Sequence, residues 1–182
     1  NNTNIIPEKF GTFDNTGTNS TIASGDNNKI ISGYSFVGGG FKNLLNMPYS
    51  FIGGGRLNTA SADSGNVFIG AGRCNIIGDL EGGDESNNAF IGAGFGNRIA
   101  DPNGNSAGDE SFIGGGGCNL VDSNRSSIVG GTLNTASSDS SFVGGGYKNI
   151  ACGGNSSVVG GTLNTSSAAC SFIGGGENNK VT

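Results

Sequence analysis

The sequence predicts an all-β protein, a parallel β-roll or β-helix solenoid of ten coils of about 15 residues. The first observation is a unit reading Ser-Phe-Ile/Val-Gly-Gly-Gly-x-x-Asn. Clear copies start at Ser35, Ser50, Ser111, Ser141 and Ser171, and looser ones at Ser20, Val67, Ala89, Ser126 and Ser156. The second is how firmly a few positions hold when each copy is counted from zero at its first residue. Position +2 is always β-branched (Ile22 through Ile173), +5 is always Gly (Gly25 through Gly176) and +8 is always Asn (Asn28 through Asn179). The third is spacing: successive +8 Asn residues lie 15, 15, 17, 22, 22, 15, 15, 15 and 15 residues apart. A fixed period in this range is the signature of stacked repeats, each one supersecondary unit burying its face on the next.

Residues 1–19 do not fit the unit. Ile5, Ile6, Phe10 and Phe13 give them apolar character, so they are expected to be a lead-in or cap over the first coil, since terminal units of stacked arrays are atypical. Residues 20–182 form the repeat domain. The coil itself is short, rich in β-branched residues and Gly, and lacks a helical 3.6-residue period, which points to short strands and tight turns. Gly at +5 supplies a bend needing positive φ or close backbone approach. Asn at +8 is expected to take the left-handed conformation at a corner and to bond the same Asn above and below.

Two units are longer. Residues 78–88 and 101–110 each add seven residues to the spacing at the same phase of adjacent coils, so both should protrude side by side from one edge. They carry the only concentrated polar feature: Asp79, Glu81, Asp84 and Glu85 beside Asp101, Asp109 and Glu110. Four roles compete for these carboxylates. They are solvated loops, the usual fate of a charge run; candidate receptor-contact loops on a rigid scaffold; calcium ligands; or a carboxylate pair for glycan hydrolysis.

Positions +1 and +2 are strand neighbours and face opposite ways. Position +2 takes the core, which leaves Phe36, Phe51, Phe68, Phe90, Phe112, Phe142 and Phe172 at +1 as an outward apolar stripe. Such a stripe exceeds what a monomer normally shows. Each ring is worth roughly 1.5–3 kcal/mol if buried, so the column is expected to form the interface of an oligomer closed about an axis along the rod. The competing reading folds each ring over Gly within its own chain.

Composition narrows the chemistry. The 182 residues include 37 Gly and no His, and net charge is −5. Without imidazole there is no His-dependent base, triad or metal site. The Gly runs lack the Gly-Lys-Ser/Thr ending of a phosphate loop. The chain is therefore expected not to be an enzyme and to use no cofactor. The sequence contains no basic run, so nucleic acid and anionic membrane are not expected partners, and no stretch of about 18 apolar residues suggests a span. Cys74 and Cys118 share position +7 two coils apart, ~9–10 Å, too far to bridge. Cys152 and Cys170 fall at different phases. Four free thiols suit assembly in a reducing compartment. The chain begins with Asn and its last coil shows no recognisable cap, so it reads as a fragment of a longer chain.

The repeat resembles the head domains of YadA-type trimeric autotransporter adhesins. Their slightly shorter unit, around Ser-Val-Ala-Ile-Gly-x-x-Ser-x-Ala, is similar to Gly146-Tyr147-Lys148-Asn149-Ile150-Ala151, Gly55 to Ala60 and Gly131 to Ala136, with Asn in place of Ser. Similar arrays occur in surface or fibre proteins of large DNA viruses and phages. This resemblance implies a left-handed roll, a homotrimer, a place on a virion or extracellular cell surface, and host-surface glycan or matrix protein as the attachment target. Two other expectations stand beside it: a glycan-depolymerising tailspike, and an ice-binding solenoid suggested by Thr59, Thr132, Thr135, Thr162 and Thr165.

Overall fold

The computed structural model describes residues 14–61, 65–78, 87–100 and 108–182. Among them there is no helix, only strands of two or three residues. The strands at +1 and +2, from Thr21–Ile22 to Phe172–Ile173, make one parallel sheet of 10 strands. Those at +9 and +10, from Lys29–Ile30 to Lys180–Val181, make a second of 11, whose first member is Asp14–Asn15. A third line of parallel bridges runs through +6, from Asp26 to Glu177. The chain is thus a solenoid of about ten coils, each stacked in register on the next. The ladder also reaches back into the segment expected to cap it, where Asp14 pairs with Lys29 and is bonded to it through a 2.7 Å ion pair.

Register is copied from the repeat. Phe68, Phe90 and Phe112 are Cα partners across the two long units, as are Ile76, Arg98 and Leu120. The two longer units therefore keep the coil's register, and in both the described residues stop just after the +10 strand, at Gly78 and Ala100; the rest of each insertion up to Ser86 and Ala107 lies outside the described residues.

Inside, +2 and +10 are the core. Ile22, Val37, Ile52, Ile69, Ile91, Ile113, Ile128, Val143 and Val158 are fully buried, facing Ile30, Leu45, Ala60, Ile77, Ile99, Val121, Ala136 and Ala151. Strands with one face in the core alternate in this way because successive side chains point to opposite sides. The apolar column is bracketed by two polar ones, both buried: Asn at +8 and Ser at zero.

The polar columns solve a backbone problem. Most N–H groups donate to a carbonyl in the following coil, as Phe36 does to Ser50 and Phe142 to Ser156. Two residues per coil have φ between 53° and 64°: the one before position zero (Asn19, Tyr34, Tyr49, Asn66, Arg125) and the one at +7 (Lys42, Leu57, Cys74, Leu133, Leu163). There the N–H turns round and donates to the preceding coil, as Leu57 does to Phe41 and Arg125 to Asp109. The next amide also points backwards: after +7 the Asn of the preceding coil receives it, and after the other corner a preceding Ser hydroxyl does so at Ser35, Ser50, Val67, Ser126 and Ser141, whereas Ser156 N–H turns to the Gly153 carbonyl. Asn149 N–H donates to Asn134 Oδ1 at 2.9 Å, and Ser141 N–H to Ser126 Oγ at 3.2 Å. The left-handed corner is thus at +7, not at the +8 Asn expected to occupy it. The expected bonding from Asn to Asn is present, with Asn43 Nδ2 donating to Asn28 Oδ1 at 3.0 Å. The Asn also clamps its own turn, Asn134 Nδ2 donating to the carbonyls of Gly130 (3.0 Å) and Gly146 (3.1 Å). Glycine at +5 is required by both φ and space. At Gly146, with φ 90°, a Cβ would run into the Gly161 carbonyl oxygen of the next coil.

Replacing Asn134 should show how much this column carries. Asn134→Ala strands the Asn149 N–H and two carbonyl acceptors and should cost about 3 kcal/mol, by the penalty for unsatisfied buried groups. Asn134→Asp, though isosteric, aims a carboxylate at the Gly130 and Gly146 carbonyls and should cost at least as much. Urea unfolding monitored by circular dichroism checks both.

Candidate functional site

Three outward features border this core. The first is the aromatic column at +1. Phe36, Phe51, Phe68, Phe90 and Phe112 form an unbroken stack, with ring centroids 4.8–5.4 Å apart and planes within 12° of parallel. In-register parallel strands impose this, since identical positions recur at ~4.8 Å. Each ring also lies over the Gly two residues on. Phe112 Cε1 would be 3.3 Å from a Cβ on Gly114, and Phe142 Cε1 3.4 Å from one on Gly144. The intrachain folding considered for these rings is therefore real, yet it leaves them uncovered on the outside. Phe36 and Phe112 are each 36% exposed and Phe172 66%. Phe51, Phe68, Phe90 and Phe142 are half-buried.

Beyond Phe112 the column changes rhythm. Ser127 and Ser157 replace Phe at +1, and the same coils carry Val129 and Val159 at +3 instead of Gly. Phe with Gly thus alternates with Ser with Val. Both valines are exposed, so the outer face stays apolar to the last coil although its rings are no longer contiguous.

The second feature is a polar groove of about 420 Å³ at the corner from which the insertions spring, lined by Asn66, Asn87, Asn88, Asp109, Glu110, Asn124 and Arg125. Its wall is a short ladder of carboxylate and amide acceptors. Asn87 N–H donates to Asp109 Oδ1 at 2.6 Å, Asp109 N–H to Asn124 Oδ1 at 3.0 Å, and Asn124 N–H to Asp139 Oδ1 at 3.3 Å. Arg125 closes the outer side through Asp139 at 3.2 Å. The groove lies where Val67 and Ala89 replace Ser at position zero, so the preceding coil offers Ala89 and Ser111 no hydroxyl acceptor. Of the seven acidic residues singled out from sequence, Asp109 and Glu110 line this groove. Asp109 is half-buried and spends one oxygen on the ladder, whereas Glu110 is exposed on a left-handed corner with φ 53°. Asp79, Glu81, Asp84, Glu85 and Asp101 lie outside the described residues. Among the described residues, no group of three or more Asp, Glu or Cys side chains gathers as a metal site would require.

The third feature is one the linear sequence hides. Along +6, coils two to five carry Phe41, Arg56, Arg73 and Phe95 in direct register. The Arg56 guanidinium lies 5.6 Å from the Phe41 centroid and that of Arg73 5.3 Å from Phe95, and Lys42 Nζ also lies 5.2 Å from Phe41. No basic run is visible in the chain because these residues are one coil apart; stacking assembles the basic ridge. The threonines weighed for ice binding do not make an unbroken row. Thr132 and Thr162 are separated by Tyr147, and Thr135 and Thr165 by Ile150. Cys74 and Cys118 share their column with Gly96 between them, and all four cysteines are free.

No protein-family model matches the chain, and no curated protein matches it in sequence.

Asp109 tests whether the groove is built or incidental. Asp109→Ala strands the Asn87 N–H and should lower stability by about 1 kcal/mol, read as a melting point ~2–4 °C lower for a chain of this size. Asp109→Asn, which keeps an acceptor oxygen, should recover most of the loss.

Proposed function

We propose that the chain is a rigid, non-catalytic segment of a homotrimeric surface fibre, on a virion or an extracellular cell surface, that presents an attachment surface to a host. The observation that carries this reading is the outward aromatic column. Five rings stack in register and remain about a third exposed at both ends of the stack, on a scaffold whose own core is already complete without them. Apolar surface of this continuity favours association, and a ring of copies about an axis along the rod covers it without leaving an open edge. The change from Phe with Gly to Ser with Val supports the same reading. Two different side-chain pairs keep the strip apolar, as a surface selected for contact would require and a solvated one would not.

The reading gives the solenoid a mechanical role. A stack joined turn by turn resists bending, and several copies of one site on a stiff support gain avidity from geometry, without tight single contacts. The left-handed, trimeric adhesin heads that the sequence resembles supply an analogue, and fold-level analogy carries no ligand with it.

Light scattering on the purified chain tests the proposal. The expected mass is three times the 18.0 kDa of one chain, and a single species at one chain mass overturns it. Phe112→Asp combined with Phe142→Asp, both outward and neither in the core, should convert the assembly to monomers or unfold it; retention of the assembled mass would move the interface elsewhere.

A further inference from the structure

The ridge of Phe41, Arg56, Arg73 and Phe95 is an anomaly in a chain of net charge −5. In a parallel ladder, like charges directly opposite are destabilising, yet Arg56 and Arg73 are direct partners one coil apart. Among the described residues, neither they nor Lys42 forms an ion pair, whereas Lys29 and Arg125 do. Nothing in the coil requires a cation here, since the same column holds Gly117, Thr132 and Thr162 elsewhere. The strain is relieved sideways: each guanidinium sits against a ring on the far side from the other, Arg56 with Phe41 and Arg73 with Phe95. The rings hold the two forks against them, and both arginines are exposed to solvent. Local rules broken without a structural gain are expected at functional sites.

We infer that this ridge binds a sulfated polysaccharide, with Arg56 and Arg73 as the paired contacts to sulfate groups and Lys42 as a flanking charge. Arginine's planar fork suits the oxygens of a tetrahedral anion better than a point charge does, and a repeat of ~4.8 Å per coil offers donors along an extended anionic chain. Single-stranded nucleic acid is the less favoured occupant. It relies on open aromatic faces on which bases stack, and here the faces of Phe41 and Phe95 carry cations. Three cations on adjacent coils also make a short tract for a phosphate backbone. The inference names a ligand class for the attachment reading above and rests on that reading for its biological setting. The binding itself needs a single chain only.

Isothermal titration of the full chain with dextran sulfate, unsulfated dextran and a single-stranded DNA oligonucleotide tests it. The same samples are passed through light scattering, so failure of the trimer and failure of the site are seen separately. Dextran sulfate should bind and unsulfated dextran should not. Arg56→Thr/Arg73→Thr, which installs the residue the column uses at Thr132 and Thr162, should weaken binding on the order of tenfold per arginine removed without lowering the melting point. Lys148→Gln/Lys180→Gln, an equal charge change elsewhere, should weaken it by less than about threefold, as expected for contacts beyond a screening length. Arg56→Lys/Arg73→Lys keeps the charge and loses the fork, and should bind more weakly than the wild-type chain. Equal loss in Arg56→Thr/Arg73→Thr and Lys148→Gln/Lys180→Gln, unchanged binding in Arg56→Thr/Arg73→Thr, no binding of dextran sulfate, or tighter binding of DNA would each overturn the assignment.

Discussion

The whole stack hangs on amides that point the wrong way. Besides the positive-φ Gly at +5, the coil turns by putting two residues into the left-handed region, and each of these reverses the sense of the N–H groups around it. The left-handed residue itself still finds a carbonyl in the preceding coil. The amide after it does not, and a buried N–H without an acceptor costs as much as a lost hydrogen bond. Asn at +8 and Ser at zero are the remedy, one for each corner. Each puts an oxygen where the preceding coil has no backbone carbonyl to offer. The two columns have the same cause, which is why both are buried in an interior that would otherwise be apolar. Asn does more because its amide can also donate, and it ties its own Gly turn to the next one.

From that constraint the rest follows in order. With both polar edges satisfied, the space between them is filled by one β-branched residue and one small or apolar residue per coil, and side-chain volume can vary along +10 from Ile to Ala without disturbing register. The coil then owes nothing to its outer positions. The columns at +1, +6 and the insertion corner are free to carry rings, arginines or carboxylates, and each becomes a continuous strip because the stack repeats it. A scaffold whose stability is confined to its inner columns is suited to displaying chemistry on its outer ones.

Much of this was legible in the sequence because period and phase carry it. The invariance of +2, +5 and +8 is a direct image of core, close approach and side-chain ladder. The corners were not legible. Leu57, Leu133 and Leu163, Tyr34 and Tyr49, Cys74 and Cys170 all sit at positive φ, where Gly or Asn is the residue that signals a turn. Asn stood next to the corner and drew the assignment to itself. Ser at zero was visible as a consensus letter, but its purpose depends on which way an amide points, which no residue type records. The basic ridge was hidden for a different reason: Arg56 and Arg73 are neighbours only after the chain has made a full circuit. The aromatic column lay between these cases. Its outward direction followed from strand alternation, whereas the way each ring rests on the Gly beyond it required coordinates.

The alternation of Phe with Gly and Ser with Val has a bearing on how such a chain can change length. Each coil meets only its two neighbours, so a whole coil can in principle be lost or gained and the ladders rejoined. From Ser126 onward, however, coils come in two kinds. Excising one brings two valine coils or two phenylalanine coils together and shifts the outer strip by half its pattern. Excising two, for instance residues 141–170, restores every column. The inheritable quantum of this half of the molecule is accordingly the pair, and a family of such chains would be expected to differ from one another by even numbers of coils.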